Sequence, residues 1–347
     1  MHFFSQFLIE QHYHTLPRKQ VLLSSKTLIY GPPKSGKTSL ALDFAHNSQI
    51  PSKKIVFMDC QDPRICEKEA KSELLKLYLE RKIELLILKG FAADFSLPNI
   101  EHILLISNQK MQIPSFSSHQ CSYLSFIEYV SFCSKNNSLD SLLKNFIKDG
   151  NLPQMPFLSE HQKIRTKQEM LKLNLKDNLP LFTQLLPFQA QKLTSFQFYT
   201  MLKKTHKISK DRVYAFIDGL EREGLIFFLP HLLPNKPKKF YFSDFSLPKA
   251  LSLHHTIVPL LENMFVLELL ALSKEVYYDD FGCFILPNIG KFLFAPFAQR
   301  DFIEKKLSKM PKENLRIITL DFSDSGLSHA IQWEALSFAE FTLGGIE

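Results

Sequence analysis

Four largely apolar runs in the first third of the chain, at 26–30, 54–59, 84–88 and 102–106, each read as a short strand buried on both faces. Between them the period lengthens. Residues 39–46 place Leu40, Ala41 and Phe44 on one side, as a helix does, and the charged stretch 67–81 reads as a second helix. Strands separated by helical stretches predict an α/β unit, a parallel sheet with helices on both faces. Ahead of it, residues 1–25 read as an amphipathic helix carrying Phe3, Phe4, Phe7 and Leu8, followed by a polar link.

Beyond residue 123 the pattern is mostly helical. Residues 154–192 are polar, with Leu171, Leu173, Leu175 and Leu181 as intermittent anchors. A helix over 195–204, a turn, and a helix over 210–223 follow. In the second helix Val213, Phe216, Ile217 and Leu220 form one apolar face, with Ser209 placed as N-cap and Gly224 past the end. Runs at 225–229 and 239–242 then read as two strands around Pro234 and Pro237. Two helices and a hairpin make a winged helix. The last stretch predicts a long helix from Ile257, strands near 276–279 and 283–286, a final strand over 315–322 and a final helix over 331–341.

The chemistry concentrates after the first strand. Gly31, Pro32, Pro33, Lys34, Ser35, Gly36, Lys37 and Thr38 fit the Walker A pattern at every fixed position, between a strand and a helix. Glycines let such a loop turn its amides and the helix N-terminus onto phosphate oxygens. Lys37 is then the candidate for the β- and γ-phosphates of ATP, Thr38 for Mg²⁺, and Ser39 completes the binding segment. The third strand does not supply the usual acids. Lys89 and Gly90 stand where an aspartate and a glutamate are expected, and a lysine cannot coordinate Mg²⁺. Asp94 lies five residues too far on, which leaves Asp59 or Asp62 to approach from the neighbouring strand, or a different strand as the acid-bearing one. Asn108, ending the fourth strand, either reaches the γ-phosphate or merely starts a turn.

Taken with Walker A, the segments Asp62-Pro63-Arg64, Leu105-Ile106-Ser107-Asn108 and Tyr123-Leu124-Ser125-Phe126-Ile127-Glu128-Tyr129 give a wider resemblance. The chain resembles the prokaryotic AAA+-type P-loop ATPases that carry a C-terminal winged helix and a restriction-endonuclease-like domain of unknown function. Asp149-Gly150-Asn151-Leu152-Pro153 is similar to that family's turn in a helical lid, with one glycine replaced. The resemblance implies a P-loop core over 1–122, a helical lid and connection over 123–192, a winged helix over 193–250 and a degenerate endonuclease-like α/β module over 251–347. It also implies an arginine finger just before Leu124, yet residues 115–123 contain no arginine. Glu262 matches the helix glutamate of the terminal module. Cys283 to Leu286 lack its aspartate, and Phe294 to Phe297 lack its lysine, so the module is not expected to be a nuclease.

Composition narrows the partners. Net charge is +7 over 347 residues, which admits an acidic partner without requiring one. The winged helix offers Lys210, Asp211, Arg212 and Tyr214 to a DNA groove and Lys236, Lys238 and Lys239 to phosphates; packing within the lid is the other reading, and Asp211 opposes phosphate contact. Five cysteines, none in a ligand-like cluster, suit reduced thiols. With neither a signal peptide nor an apolar run long enough for a bilayer, the expectation is a cytoplasmic protein without a membrane partner. The function expected is an ATP- and ADP-binding, weak or partner-dependent ATPase that admits self-assembly. The alternative is a nucleotide-regulated DNA-binding or scaffold protein.

Overall fold

In the computed structural model, which describes residues 18–19, 22, 24–91, 95–133, 137–254 and 256–344, the four apolar runs become neighbours in one parallel sheet. They are β1 (Lys26–Tyr30), β2 (Ile55–Asp59), β3 (Leu85–Lys89) and β4 (His102–Ser107), joined by β5 (Ser117–Gln120) in the order β2-β3-β4-β1-β5. The period of two divides their side chains between two faces. Leu85 and Ile87 join Leu40, Ala41 and Ala45 of α1 (Lys37–Asn47), whereas Leu86 and Leu88 join Ala70 and Leu74 of α2 (Glu67–Leu79). All nine are buried, and each fully buried leucine or isoleucine stabilises by about 1.5–3 kcal/mol. The N-terminal helix expected around Phe3, Phe4, Phe7 and Leu8, and Asp94, lie outside the described residues.

In this sheet two details differ from the sequence pattern; elsewhere residues 331–337, expected in a helix, form a strand. β3 runs one residue further than expected, so Lys89 belongs to the strand and pairs in register with Asp59. β5, Ser-Ser-His-Gln, is a largely exposed edge strand with no apolar run to betray it. Register then aligns the strand ends: Tyr30 pairs with Ser107 and Gln120, and Lys89 with Ile106 and Asp59. The loops beginning at Gly31, Cys60, Gly90, Asn108 and Cys121 therefore leave one carboxyl edge. Strand order reverses at β1, the place where open α/β sheets form a crevice for ligands.

The chain divides into two compact units, 1–123 with 222–224, and 124–221 with 225–347. The second begins with α3 (Phe126–Phe132), α4 (Leu139–Asp149), α5 (Glu160–Leu175) and α6 (Leu179–Thr183). Next come α7 (Ser195–Leu202), α8 (Lys210–Arg222) and the antiparallel pair β6 (Ile226–Leu229) and β7 (Lys239–Phe242). Val213, Phe216, Ile217 and Leu220 are all buried. After α9 (Leu247–Leu251) and α10 (Ile257–Leu272) comes a mixed six-stranded sheet. Its strands are β8 (Tyr277–Tyr278), β9 (Cys283–Leu286), β10 (Gly290–Phe294), β11 (Leu315–Thr319), β12 (Asp324–Ser328) and β13 (Ile331–Ser337), in the order β12-β13-β11-β10-β9-β8. α11 (Arg300–Leu307) lies between β10 and β11 in the chain, and α12 (Phe338–Leu343) ends it. Phe126, Phe146, Tyr241, Phe245, Phe265 and Phe341 share one core, so the stretches expected as lid, winged helix and terminal module pack on common ground.

The Leu-Ser-Phe-x-Glu-Tyr segment is a helix-starting device. Ser125 and Glu128 form a capping box, the Phe126 amide donates to Glu268 (2.7 Å), and Leu124, Phe126 and Tyr129 are buried. No helix among the described residues is long and apolar enough to cross a membrane. A buried ionic cluster ties α4, α5 and α9 together. Lys167 donates to the Asp149 carbonyl and Ser246 and pairs with Asp244 (3.1 Å), while Lys163 pairs with Asp149 (2.5 Å). Gly150, at φ 81°, has no room for a Cβ against Ser246, Asp244 and Lys167. Gly150→Ala is therefore expected to lower stability by about 2–4 kcal/mol, read as a shifted urea midpoint. An unchanged midpoint would show that the turn can relax.

Candidate functional site

The loop between β1 and α1 is held in a conformation that few sequences can adopt. Gly31 has φ 149°, and any Cβ there would run into the Cys121 carbonyl. Lys34 and Gly36 are left-handed, at φ 63° and 93°. The loop's carbonyls are drawn into a frame. Lys37 Nζ donates to Gly31 O (2.8 Å) and Pro32 O (2.6 Å), and the Tyr123 hydroxyl donates to Pro33 O (2.7 Å). Ser35 O accepts from Arg18 (2.9 Å) and from the Cys121 thiol (3.3 Å), and Gly36 O from the Leu40 amide (2.9 Å). Within the loop the Ser35 amide donates to Pro32 O (3.3 Å). No side chain caps α1 and its first turn holds no acid, so its N-terminal amides have neither an intrahelical partner nor a competing anion. Ser35 is fully buried, and its hydroxyl has no hydrogen-bond partner.

The other expected residues are placed as follows. Lys37 is 7% exposed, and burial, with Lys89 as a nearby like charge, lowers its pKa to about 8 despite an opposing effect of Cys121. Thr38 is half-buried beside it, while Lys34, Ser39 and Asn108 are exposed. Asn108 follows the end of β4, one residue past the pairing of Ser107 with Tyr30. Asp59, expected to reach a metal, instead accepts from Lys89 at 2.6 Å. The reason is register: with β3 displaced by one residue, to 85–89, the lysine lies directly opposite that aspartate. Asp62 is held by Arg64 at 2.6 and 2.9 Å, which brings its pKa down to about 2. Among the described residues no three His, Cys, Asp or Glu side chains gather as a metal site. The donor set at this edge does not fit a bound Mg²⁺.

Sequence reasoning found the loop but not its bracing. Arg18 and Cys121 are distant in sequence and lie in no motif, Tyr123 opens a family-like segment that gave no hint of contact with the loop, and the edge strand that delivers Cys121 was invisible to hydrophobic patterning.

The carboxylates of the terminal stretch have structural partners. Glu262 accepts from Lys239 (2.7 Å) and the Tyr241 hydroxyl (2.6 Å). Asp279 caps the β8–β9 turn, accepting from the Phe281 and Cys283 amides, and pairs with Lys291 at 3.0 Å. That lysine stands on β10, earlier than the sequence positions expected to carry one. Burial pushes the Cys283 thiol up to about 12, so it remains protonated.

Neither a family model nor a curated protein matches the chain. Among solved structures, it is similar to the ORC1 protein of Aeropyrum pernix in complex with DNA, with 11% identity, a TM-score of 0.26, and coverage of 70% of this chain and 88% of that one. It is also similar to a chain of Drosophila ORC bound to AT-rich DNA and Cdc6, with 14% identity, a TM-score of 0.19, and coverage of 62% and 81%.

A lysine whose folded pKa lies below its unfolded 10.5 binds an anion only while charged. Affinity for ATP is expected to hold up to pH 8 and then fall by up to about tenfold per pH unit, whereas the apo fold gains stability between 8 and 10.5. Calorimetric titrations at several pH values check this. Affinity flat across that interval would show that Lys37 does not meet the phosphates.

Proposed function

We propose that this chain is an AAA+-like P-loop protein that binds ATP and ADP through Gly31, Pro32, Pro33, Lys34, Ser35, Gly36, Lys37, Thr38 and Ser39. One observation carries the reading: a left-handed glycine opens an uncapped, acid-free helix directly after a lysine-stapled loop at the sheet's reversal point. In this reading the loop amides and the α1 N-terminus take the phosphates. Lys37 exchanges its two carbonyls for phosphate oxygens, and Thr38 lies alongside. Asn108 senses the terminal phosphate from the neighbouring strand end.

Turnover in this reading is weak or partner-dependent. The end of β3 offers Lys89 and Gly90 in place of acids, and both acids closing β2 are held by cations. Residues 115–123 provide no arginine finger, a group worth about 10³ or more in rate where it has been tested. An assembling copy or another partner would have to supply it. The helices α3 to α6 serve as lid, α7 and α8 with β6 and β7 as winged helix, and the terminal sheet as an endonuclease-like module without nuclease chemistry, because Glu262 and Asp279 are engaged in the fold.

A second reading, a nucleotide-regulated DNA-binding or scaffold protein, is favoured by one feature. The Lys210 ammonium lies over the exposed rings of Tyr214 (5.3 Å) and Phe196 (6.0 Å), with Arg212 exposed on the same helix. Such a basic-aromatic surface suits nucleic acid. Against it, Lys236 pairs with Asp280 (3.4 Å) and Lys239 with Glu262, which reduces the wing's charge.

The test is calorimetric ATP binding together with steady-state turnover across protein concentrations, with Lys37→Ala as the comparison. Binding weakened at least about tenfold in the variant, with slow turnover that rises more than proportionally with concentration, is the expected result. Equal binding by both proteins would remove the site. Turnover indistinguishable between them, alongside low-salt DNA affinity lost in a Lys210→Ala, Arg212→Ala double variant, would favour the second reading.

A further inference from the structure

We infer that this site takes the nucleotide's phosphates without a divalent cation, with the Lys89 ammonium standing where a metal-holding acid usually stands. The inference rests on the nucleotide-site reading and adds how the phosphate charge is met. P-loop sites ordinarily place Mg²⁺ between the loop's threonine or serine and an aspartate at a strand end, so that a negative side chain attracts the ion. Here that strand end carries an ammonium. Its register partner Asp59 lies 2.6 Å from it, which makes the pair formally neutral and leaves that acid engaged by an ammonium rather than open to a metal ion.

Two further observations point the same way. Asp62, the other acid at this corner, is bound to Arg64. Lys89 is near enough to Lys37 for its charge to lower the latter's pKa, so two ammonium groups bear on one loop before any ligand arrives. Within that loop Ser35 holds a fully buried, unpartnered hydroxyl, and α1 presents uncapped amides. An anion relieves all of these at once: it separates the two like charges electrostatically and gives the amides an acceptor.

Lys89 is free to respond because its ion pair is accessible, at 39% exposure for the lysine and 27% for the aspartate. Pairs of that kind hold weakly. The flexible four-carbon stem can turn the ammonium from Asp59 toward a phosphate oxygen, or bridge the two.

The experiment titrates the full-length chain with ADP and with ATP by calorimetry, in excess EDTA and in excess Mg²⁺. Dissociation constants within about threefold of each other are expected, and Lys89→Met, which keeps the stem but not the charge, should weaken binding in EDTA by about tenfold or more. Lys89→Asp should make binding depend on Mg²⁺. Circular dichroism verifies that both variants fold. Wild-type binding that falls more than about tenfold in EDTA overturns the inference and leaves the nucleotide reading standing. Cation-independent binding indifferent to Lys89→Met also overturns it, by removing Lys89 from the site. No binding under either condition overturns the nucleotide reading itself.

Discussion

The close approach of Gly31 to the Cys121 carbonyl is the constraint on which the loop depends. β5 lies beside β1 and ends at Gln120, so the next residue enters the space that a side chain at position 31 would fill. The Cys121 amide donates to Tyr30 O at 2.7 Å, while its thiol reaches Ser35 O across the loop. With the base of the loop closed in this way, Tyr123 and Arg18 hold its outer carbonyls and Lys37 its inner ones. The backbone then enters the helix through a left-handed Gly36. Such preorganisation removes part of the ordering cost of binding.

Charge is distributed differently in the two units. In the second, Lys167, Asp149, Asp244 and Ser246 are almost wholly buried and pair with one another, an arrangement that fixes the meeting of three helices but breaks severely if one partner is removed. In the first, the Asp59–Lys89 and Asp62–Arg64 pairs lie at an accessible edge, where ion pairs contribute little to stability and exchange partners readily. The first arrangement suits architecture and the second suits a site.

Legibility followed burial. β1 to β4 announce themselves because a strand covered on both faces needs an uninterrupted apolar run, and α8 because a half-buried helix needs Val213, Phe216, Ile217 and Leu220 on one side. β5 and β12 escape notice because edge strands with polar side chains are defined by their neighbours' hydrogen bonds. The glycine loop was readable from local backbone chemistry alone. The pairing of Asp59 with Lys89 was not, since it depends on a strand boundary displaced by one residue and on the register between two strands. Ser125 and Glu128 drew attention as part of a family-like segment; their positions are explained by helix capping at the edge of a core.

Amide hydrogen exchange across residues 31–39, with and without ADP, tests most directly whether the loop holds phosphate. Strong added protection is expected at the amides of Lys34 to Ser39, concentrated there because the backbone itself is the receptor. Unchanged exchange at saturating ADP, or protection confined to segments away from this loop, would contradict it.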